Sequence, residues 1–161
     1  MPSGRYQFAN ASASYRVPAT SLMNAGVRVD GGRFYDGWQA RLVFTPTWYV
    51  SPHLELSGSY EYNRVRFSDR DQEFDAHLMR LRIGTALNTH LSTNAFLQYN
   101  SDRDVVSANI RFRYNFREGN DLWIVFNEGL NTELDAVPSR PSLQRIDNRT
   151  ILLKYTHTLA L

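Results

Sequence analysis

The sequence contains no cysteine, which excludes disulfide frameworks, thiolate metal sites and thiol nucleophiles from this chain of 161 residues. It also carries little net charge, because 18 Lys and Arg residues are set against 16 Asp and Glu residues. This balance, without any long basic run, gives no reason to expect nucleic acid as a partner. Apolar runs reach only about five residues, far short of the roughly 20 that a membrane helix needs. The first four residues do not open a signal peptide, so an exported protein would carry its signal upstream or have lost it.

Apolar and polar residues alternate along almost the whole chain, which is the pattern of β-strands. In residues 105–116 the even positions are apolar from Val106 to Phe116, whereas the odd positions include Arg111 and Arg113. The alternation predicts about nine strands, over residues 5–17, 21–30, 37–49, 54–62, 75–87, 91–100, 105–116, 121–128 and 149–161. We therefore predict a single all-β domain over residues 1–161 with antiparallel, up-and-down strands.

The predicted connections alternate between two kinds, as they do on opposite sides of a membrane barrel. Segments 17–20, 50–53, 87–90 and 117–120 have turn-forming composition and would lie on the periplasmic side. Segments 30–36, 68–73, 101–104 and 131–144 would face the outside, and the last of them contains two prolines.

The polar positions of the strands carry full charges at mid-strand, which distinguishes a membrane barrel from a soluble sheet. A soluble barrel would turn its apolar face inward and crowd many aromatic side chains into the interior. With lipid outside and paired charges inside, no such crowding arises. We predict an interior charge network of Arg28, Arg41, Glu55, Glu61, Arg80, Arg82, Arg111, Arg113 and Lys154.

Aromatic residues gather near strand ends on the apolar side, as in the interfacial girdles of membrane barrels. We predict Tyr15, Trp48 and Phe116 toward the short turns, and Trp38, Tyr60, Tyr62 and Tyr99 toward the longer loops. Together these features predict a transmembrane β-barrel of about 8–10 strands. An odd strand count does not close a bacterial barrel, so either one strand is misassigned or the chain is the C-terminal part of a larger barrel.

Four segments carry a resemblance to a known group of proteins: 31–37 (Gly-Gly-Arg-Phe-Tyr-Asp-Gly), 96–101 (Phe-Leu-Gln-Tyr-Asn-Ser), 106–111 (Val-Ser-Ala-Asn-Ile-Arg) and 121–128 (Asp-Leu-Trp-Ile-Val-Phe-Asn-Glu). The region 31–161 resembles the C-terminal barrel of large bacterial outer-membrane proteins of unknown function. These often carry an N-terminal carbohydrate-binding module resembling family 9, which has no counterpart in this sequence. The resemblance implies an outer-membrane barrel and attaches no catalytic residue to it.

Candidate chemical sites are weak in this sequence. His53, His77, His90 and His157 have no metal-ligand spacing. The acidic residues Asp69, Asp71, Glu73 and Asp75, and likewise Asp102 and Asp104, lack the glycine and spacing of a calcium loop, which favours solvated loops. No Gly-x-Ser-x-Gly elbow is present either. We therefore predict no enzyme activity, no cofactor and no metal.

Two roles remain open for the polar-face arginines Arg80, Arg82, Arg111 and Arg113. In a narrow interior they would form a salt-bridged plug, which is the preferred interpretation, and in a wide one an anion-favouring wall. The expected function is structural anchoring, or pore formation for small polar solutes, in the bacterial outer membrane. The expected partners are lipid or detergent, with further strands from a larger protein or from other copies. The alternative is a soluble β-barrel or sandwich that binds a small ligand in an apolar interior.

Overall fold

The computed structural model describes residues 8–18, 22–134 and 144–158. Its nine strands form one antiparallel sheet in which each strand pairs with its sequence neighbours, in the order β1 to β9. The strands are β1 (Ala9–Val17), β2 (Met23–Phe34), β3 (Gly37–Ser51), β4 (Leu54–Phe67), β5 (Gln72–Ala86), β6 (Leu91–Asn100), β7 (Val105–Arg117), β8 (Asn120–Asn131) and β9 (Ile146–His157). The predicted all-β, up-and-down antiparallel architecture and the nine strands are confirmed.

The connections lie at two opposite ends of the sheet. The lower end holds the turns at 52–53, 87–90 and 118–119, and the upper end holds those at 35–36, 68–71 and 101–104. Segments 5–7, 19–21, 135–143 and 159–161, which belong to predicted strands or loops, lie outside the described residues. A one-turn 3₁₀ helix, Ser68–Arg70, is the sole helical element of the described residues.

Two of the predicted outer loops are wrong, because the sheet continues through them. Strand β2 runs to Phe34 and β3 starts at Gly37, which leaves a two-residue turn in place of the loop predicted at 30–36. Likewise, β5 starts at Gln72, inside the loop predicted at 68–73. The Gly31-Gly32 pair is typical of a loop in sequence, but here Gly32 allows the backbones of β1 and β2 to approach closely. A Cβ at position 32 would lie 2.1 Å from the carbonyl oxygen of Ala9 on β1.

The strand register assigns every side chain to one of two faces. The polar face carries Arg28 directly across β3 from Glu61, through the pairs Arg28–Val43 and Val43–Glu61. The apolar face carries rows such as Leu81, Leu97 and Ala108 on β5, β6 and β7. This two-face separation follows from the period-two alternation of the sequence, since successive side chains of a strand point to opposite sides.

No hydrophobic core lies within the described part of the chain. None of its hydrophobic side chains is buried, and the one buried polar residue is Asn120. Large apolar residues remain exposed in the central strands as well as at the edges, for example Leu81 at 40% and Ile124 at 39%. The apolar face therefore has no covering layer from the described residues.

Both edges of the sheet are unpaired within the described residues. Strand β1 pairs with β2 alone, and β9 pairs with β8 alone. All nine residues of β1 are exposed, as are Ile151 (71%) and Leu153 (69%) on β9. The described strands thus leave two rows of backbone N–H and C=O groups without strand partners.

Candidate functional site on the polar face

Three arginines of the predicted network form ion pairs on the polar face. Arg41 pairs with Glu61 at 2.9 Å, and Asn63 donates a further hydrogen bond to the same carboxylate at 3.0 Å. The Arg41–Glu61 contact depends on the register between β3 and β4, which sets Arg41 opposite Asn63 and so brings Glu61 within diagonal reach.

The other two ion pairs use carboxylates that the sequence-based network omitted. Arg28 pairs with Asp30 at 2.8 Å, and Arg113 pairs with Asp121 at 2.9 Å. Asp30 could have been found from sequence, because it lies two residues after Arg28 and therefore on the same face of the strand. Asp121 could have been found less easily, since its pairing depends on how β7 and β8 align.

The remaining five members of the predicted network have no ion pair among the described residues. Arg80 donates a hydrogen bond to the side-chain oxygen of Gln98 at 3.2 Å. The side chains of Arg82, Arg111, Glu55 and Lys154 have neither a hydrogen bond nor an ion pair with any described residue. The nine side chains lie on one face, but they do not form one continuous network.

The predicted interfacial aromatics all lie on the apolar face. At the lower end, Tyr15 (67%), Trp48 (49%) and Phe116 (48%) are strongly exposed. Phe116 also stacks on Tyr155, with ring centroids 6.1 Å apart, which adds an aromatic residue that sequence inspection omitted. The period-two alternation of β9 could have predicted this, because it places Tyr155 on the same face as Ile151 and Leu153.

At the upper end, Trp38 directly follows the first residue of β3, and Tyr62 and Tyr99 lie in the upper parts of β4 and β6. Tyr60 lies nearer the middle of β4 than its prediction implies. Its hydroxyl contacts His77 Nδ1 at 2.8 Å, and Tyr62 donates to Asp75 at 2.6 Å.

On strands β4 and β5, the charged residues of the apolar face lie at its upper end, and a further ion pair on this face joins Glu128 of β8 to Arg149 of β9, in the row that contains Leu81, Leu97 and Ala108. Arg64 contacts both Glu73 and Asp75, the latter at 3.8 Å, and Arg66 lies 3.9 Å from Glu73. Two members of the predicted acidic loop are therefore strand residues bound to arginine. The side chain of Asp69 lies outside the described part.

A single ion pair joins two of the upper turns. Arg70, at the end of the 3₁₀ helix, donates to Asp36 in the β2–β3 turn at 2.9 Å. Its guanidinium also lies 4.5 Å from the centre of the Phe67 ring. The hydrogen bond from Arg70 holds the pKa of the Asp36 carboxyl below its ordinary value, because it stabilises the charged form.

The four histidines occupy separate structural positions. His53 Nδ1 lies 2.7 Å from the carbonyl oxygen of Ala86, and His90 Nδ1 lies 2.6 Å from that of Asn115, so both rings link lower turns to the next strand. His77 contacts Tyr60, and His157 contacts Asn120. No three acidic or histidine residues come together as metal ligands within residues 8–18, 22–134 and 144–158.

No helix of the described residues is long and apolar enough to span a membrane. A scan against protein-family models and a search of curated proteins both found no match to this chain. Any functional conclusion therefore depends on the geometry of the two faces.

Proposed function

We propose that this chain is the wall of an integral outer-membrane β-barrel, with a structural, anchoring or pore-forming role for small polar solutes and no catalysis. The observation that carries the proposal is the uncovered apolar face, which crosses all nine strands. Soluble monomers rarely expose a contiguous apolar surface beyond a few hundred Å². A hydrocarbon layer would cover this face, and antiparallel strands of this length suit a tilted crossing.

The carboxylates of the polar face are well covered, which supports an interior that is polar. The side chains of Glu61 (17% exposed) and Asp121 (19%) lie against Arg41 and Arg113, whose own side chains are 48% and 40% exposed. A sheet that curls toward its polar side would enclose these ion pairs. The soluble alternative requires the opposite curl, with the apolar face enclosed around a ligand.

The distribution of charge along the strands also supports a membrane. On the apolar face of β4 and β5, ionic residues such as Arg64 and Glu73 are confined to the upper end, while the middle carries residues such as Leu81. The charges that lie farther along the row of Leu81, on β8 and β9, form an ion pair with each other, Glu128 with Arg149. A charge at the centre of a bilayer is costly and one at the interface is not. The upper strand ends would then project beyond the hydrocarbon.

The two unpaired edges imply that the nine described strands are not the complete barrel wall. In hydrocarbon, every backbone N–H and C=O group needs a partner, so a spanning sheet must close. We propose that β1 and β9 pair with further strands, supplied by a larger protein or by other copies of the chain. The resemblance of region 31–161 to the C-terminal barrel of large outer-membrane proteins agrees with the first source.

Refolding in the presence and absence of detergent tests this function directly. The denatured chain is diluted into micelles of a zwitterionic detergent, and in parallel into detergent-free buffer, and each sample is run on a gel with and without boiling. We expect a heat-sensitive mobility shift and β-sheet circular dichroism only with detergent. A stable, monodisperse fold in plain buffer would contradict the proposal and favour the soluble, ligand-binding alternative.

A further inference from the structure

Two arginines on the polar face differ from their neighbours in having no partner. On strands β5 and β7, Arg80 donates to Gln98 and Arg113 pairs with Asp121. Arg82 and Arg111 lie on the same two strands and the same face, and neither has a hydrogen bond or an ion pair with a described residue. The four arginines that look equivalent in sequence therefore separate into a bound pair and a free pair.

The free pair shares one concavity. Arg82 and Arg111 line a space of about 460 Å³ together with Asn94, Phe96 and Asn109. The register sets Phe96 directly opposite Arg82 and Asn94 directly opposite Arg111, so the arginines flank β6 from its two sides. Strands β5 and β7 are roughly 10 Å apart, which is two inter-strand spacings. Two long guanidinium side chains can close on one small group across that distance.

The lining of this concavity supplies donors and leaves room for a ligand. The amide of Asn94 makes no hydrogen bond with any described residue, so its two N–H groups add to those of the guanidiniums. Gly84 lies opposite Asn94 on β5, and a Cβ at this position would meet only the Asn94 oxygen, at 3.6 Å. The Phe96 ring adds one apolar wall.

We propose that Arg82, Arg111 and Asn94 form a binding site for a small oxyanion, the carboxylate or phosphate group of a polar solute. Guanidinium groups bind both kinds of oxyanion through paired N–H donors. Two unpaired cations on either side of one strand also repel each other, and a bound anion offsets that repulsion. The inference rests on the proposed pore-forming role, and it assigns that role a class of solute.

One acidic residue lies near the site and tunes it. Glu55 on β4 is opposite Gly84 of β5 and lies on the same polar face as Arg82, but it forms no ion pair with Arg82. The negative charge of Glu55 lowers the positive potential at the site, but it leaves the hydrogen-bond donors of the Arg82 guanidinium free. Replacement of Glu55 by glutamine should therefore strengthen oxyanion binding, an effect opposite in sign to that of the arginine substitutions.

Calorimetric titration with inorganic phosphate and, separately, with succinate tests the site at low ionic strength, in whichever medium folds the chain. We expect Arg82→Gln and Arg111→Gln each to weaken binding about tenfold or more, because each removes a charge-assisted hydrogen-bond donor. Arg80→Gln is the matched control: it removes the same charge from the same strand and face but keeps the free pair, so its effect should stay under about threefold. Circular dichroism establishes that each variant keeps its sheet.

The possible results separate the site from the membrane role. Binding of either probe that depends on Arg82 and Arg111 supports the inference, and the preferred probe identifies the oxyanion. Equal losses in the Arg80 and Arg82 variants would mean that net charge alone attracts anions, and absence of binding to both probes would also overturn the site. The gel-mobility result reports the membrane role independently of either outcome.

Discussion

Substitution of Leu81 by arginine should separate a lipid-facing surface from an ordinary exposed one. Leu81 lies at the centre of the apolar stretch of β5, between Met79 and Ile83, and its neighbours across the sheet are Gly58 and Leu97. The nearest carboxylate in its row is Glu128, which is three strands away on β8 and already paired with Arg149, so an arginine at position 81 would face hydrocarbon without a partner. The same strand offers a matched control, because Leu78 lies on the polar face directly opposite Glu61.

The expected cost follows from where the new charge would lie. An arginine at the bilayer midplane of a membrane barrel costs about 2–4 kcal/mol, and the loss of an apolar side chain from the lipid adds to it, at about 1.5–3 kcal/mol for a full leucine. We therefore expect Leu81→Arg to lower the free energy of unfolding by roughly 3.5–7 kcal/mol. Leu78→Arg should cost less than about 1 kcal/mol, since its guanidinium can pair with Glu61.

The assay is equilibrium unfolding by guanidinium in phospholipid vesicles, followed by tryptophan fluorescence. A Leu81→Arg variant that unfolds within about 0.5 kcal/mol of the parent would refute the lipid-facing assignment, because that is the range of ordinary surface substitutions. Equal destabilisation by both variants would refute the two-face reasoning, since it would mean that β5 tolerates charge on neither side.

Three further outcomes follow from other parts of the molecule. In single-tryptophan variants, brominated lipid should quench the fluorescence of Trp48, which lies on the apolar face. The fluorescence of Trp123 should be nearly unquenched, because this residue lies on the polar face beside Arg113. Similar quenching of both tryptophans would contradict the face assignment. Asp36→Asn should lower the unfolding midpoint at neutral pH, because the hydrogen bond from Arg70 stabilises the charged carboxylate and depresses its pKa in the folded state. The difference from the parent should disappear as the pH falls below about 4, where the Asp36 carboxyl becomes protonated. A difference that persists at low pH would count against the ion pair. Gly32→Val should detach β1 and speed the hydrogen exchange of its amides. Gly31→Val should leave this exchange unchanged, because a Cβ at position 31 would lie 3.7 Å from its nearest neighbour. Equal amide protection of β1 in the two variants would show that the close approach of Gly32 to Ala9 is unimportant.

The sequence by itself determined the strands and their two faces. Alternation with period two is a local property, and each strand obeys it whatever its neighbours are. For this reason the prediction of an all-β, antiparallel sheet with nine strands is confirmed, and the nine charged residues of the predicted interior network lie on one face. Strand ends were less well determined: the glycines at 31 and 32 signal a turn locally, but both lie within β2, and the close backbone of β1 requires glycine at position 32.

Only the tertiary structure decided which charges have partners. Arg41 meets Glu61 because of the β3–β4 register, and Arg113 meets Asp121 because of the β7–β8 register. A shift of one residue in either register would move a partner to the opposite face. The same dependence left Arg82 and Arg111 without a counter-charge among the described residues. Chain position fixes the face of a side chain, but the alignment of neighbouring strands fixes its contacts, and alignment is a property of the whole sheet.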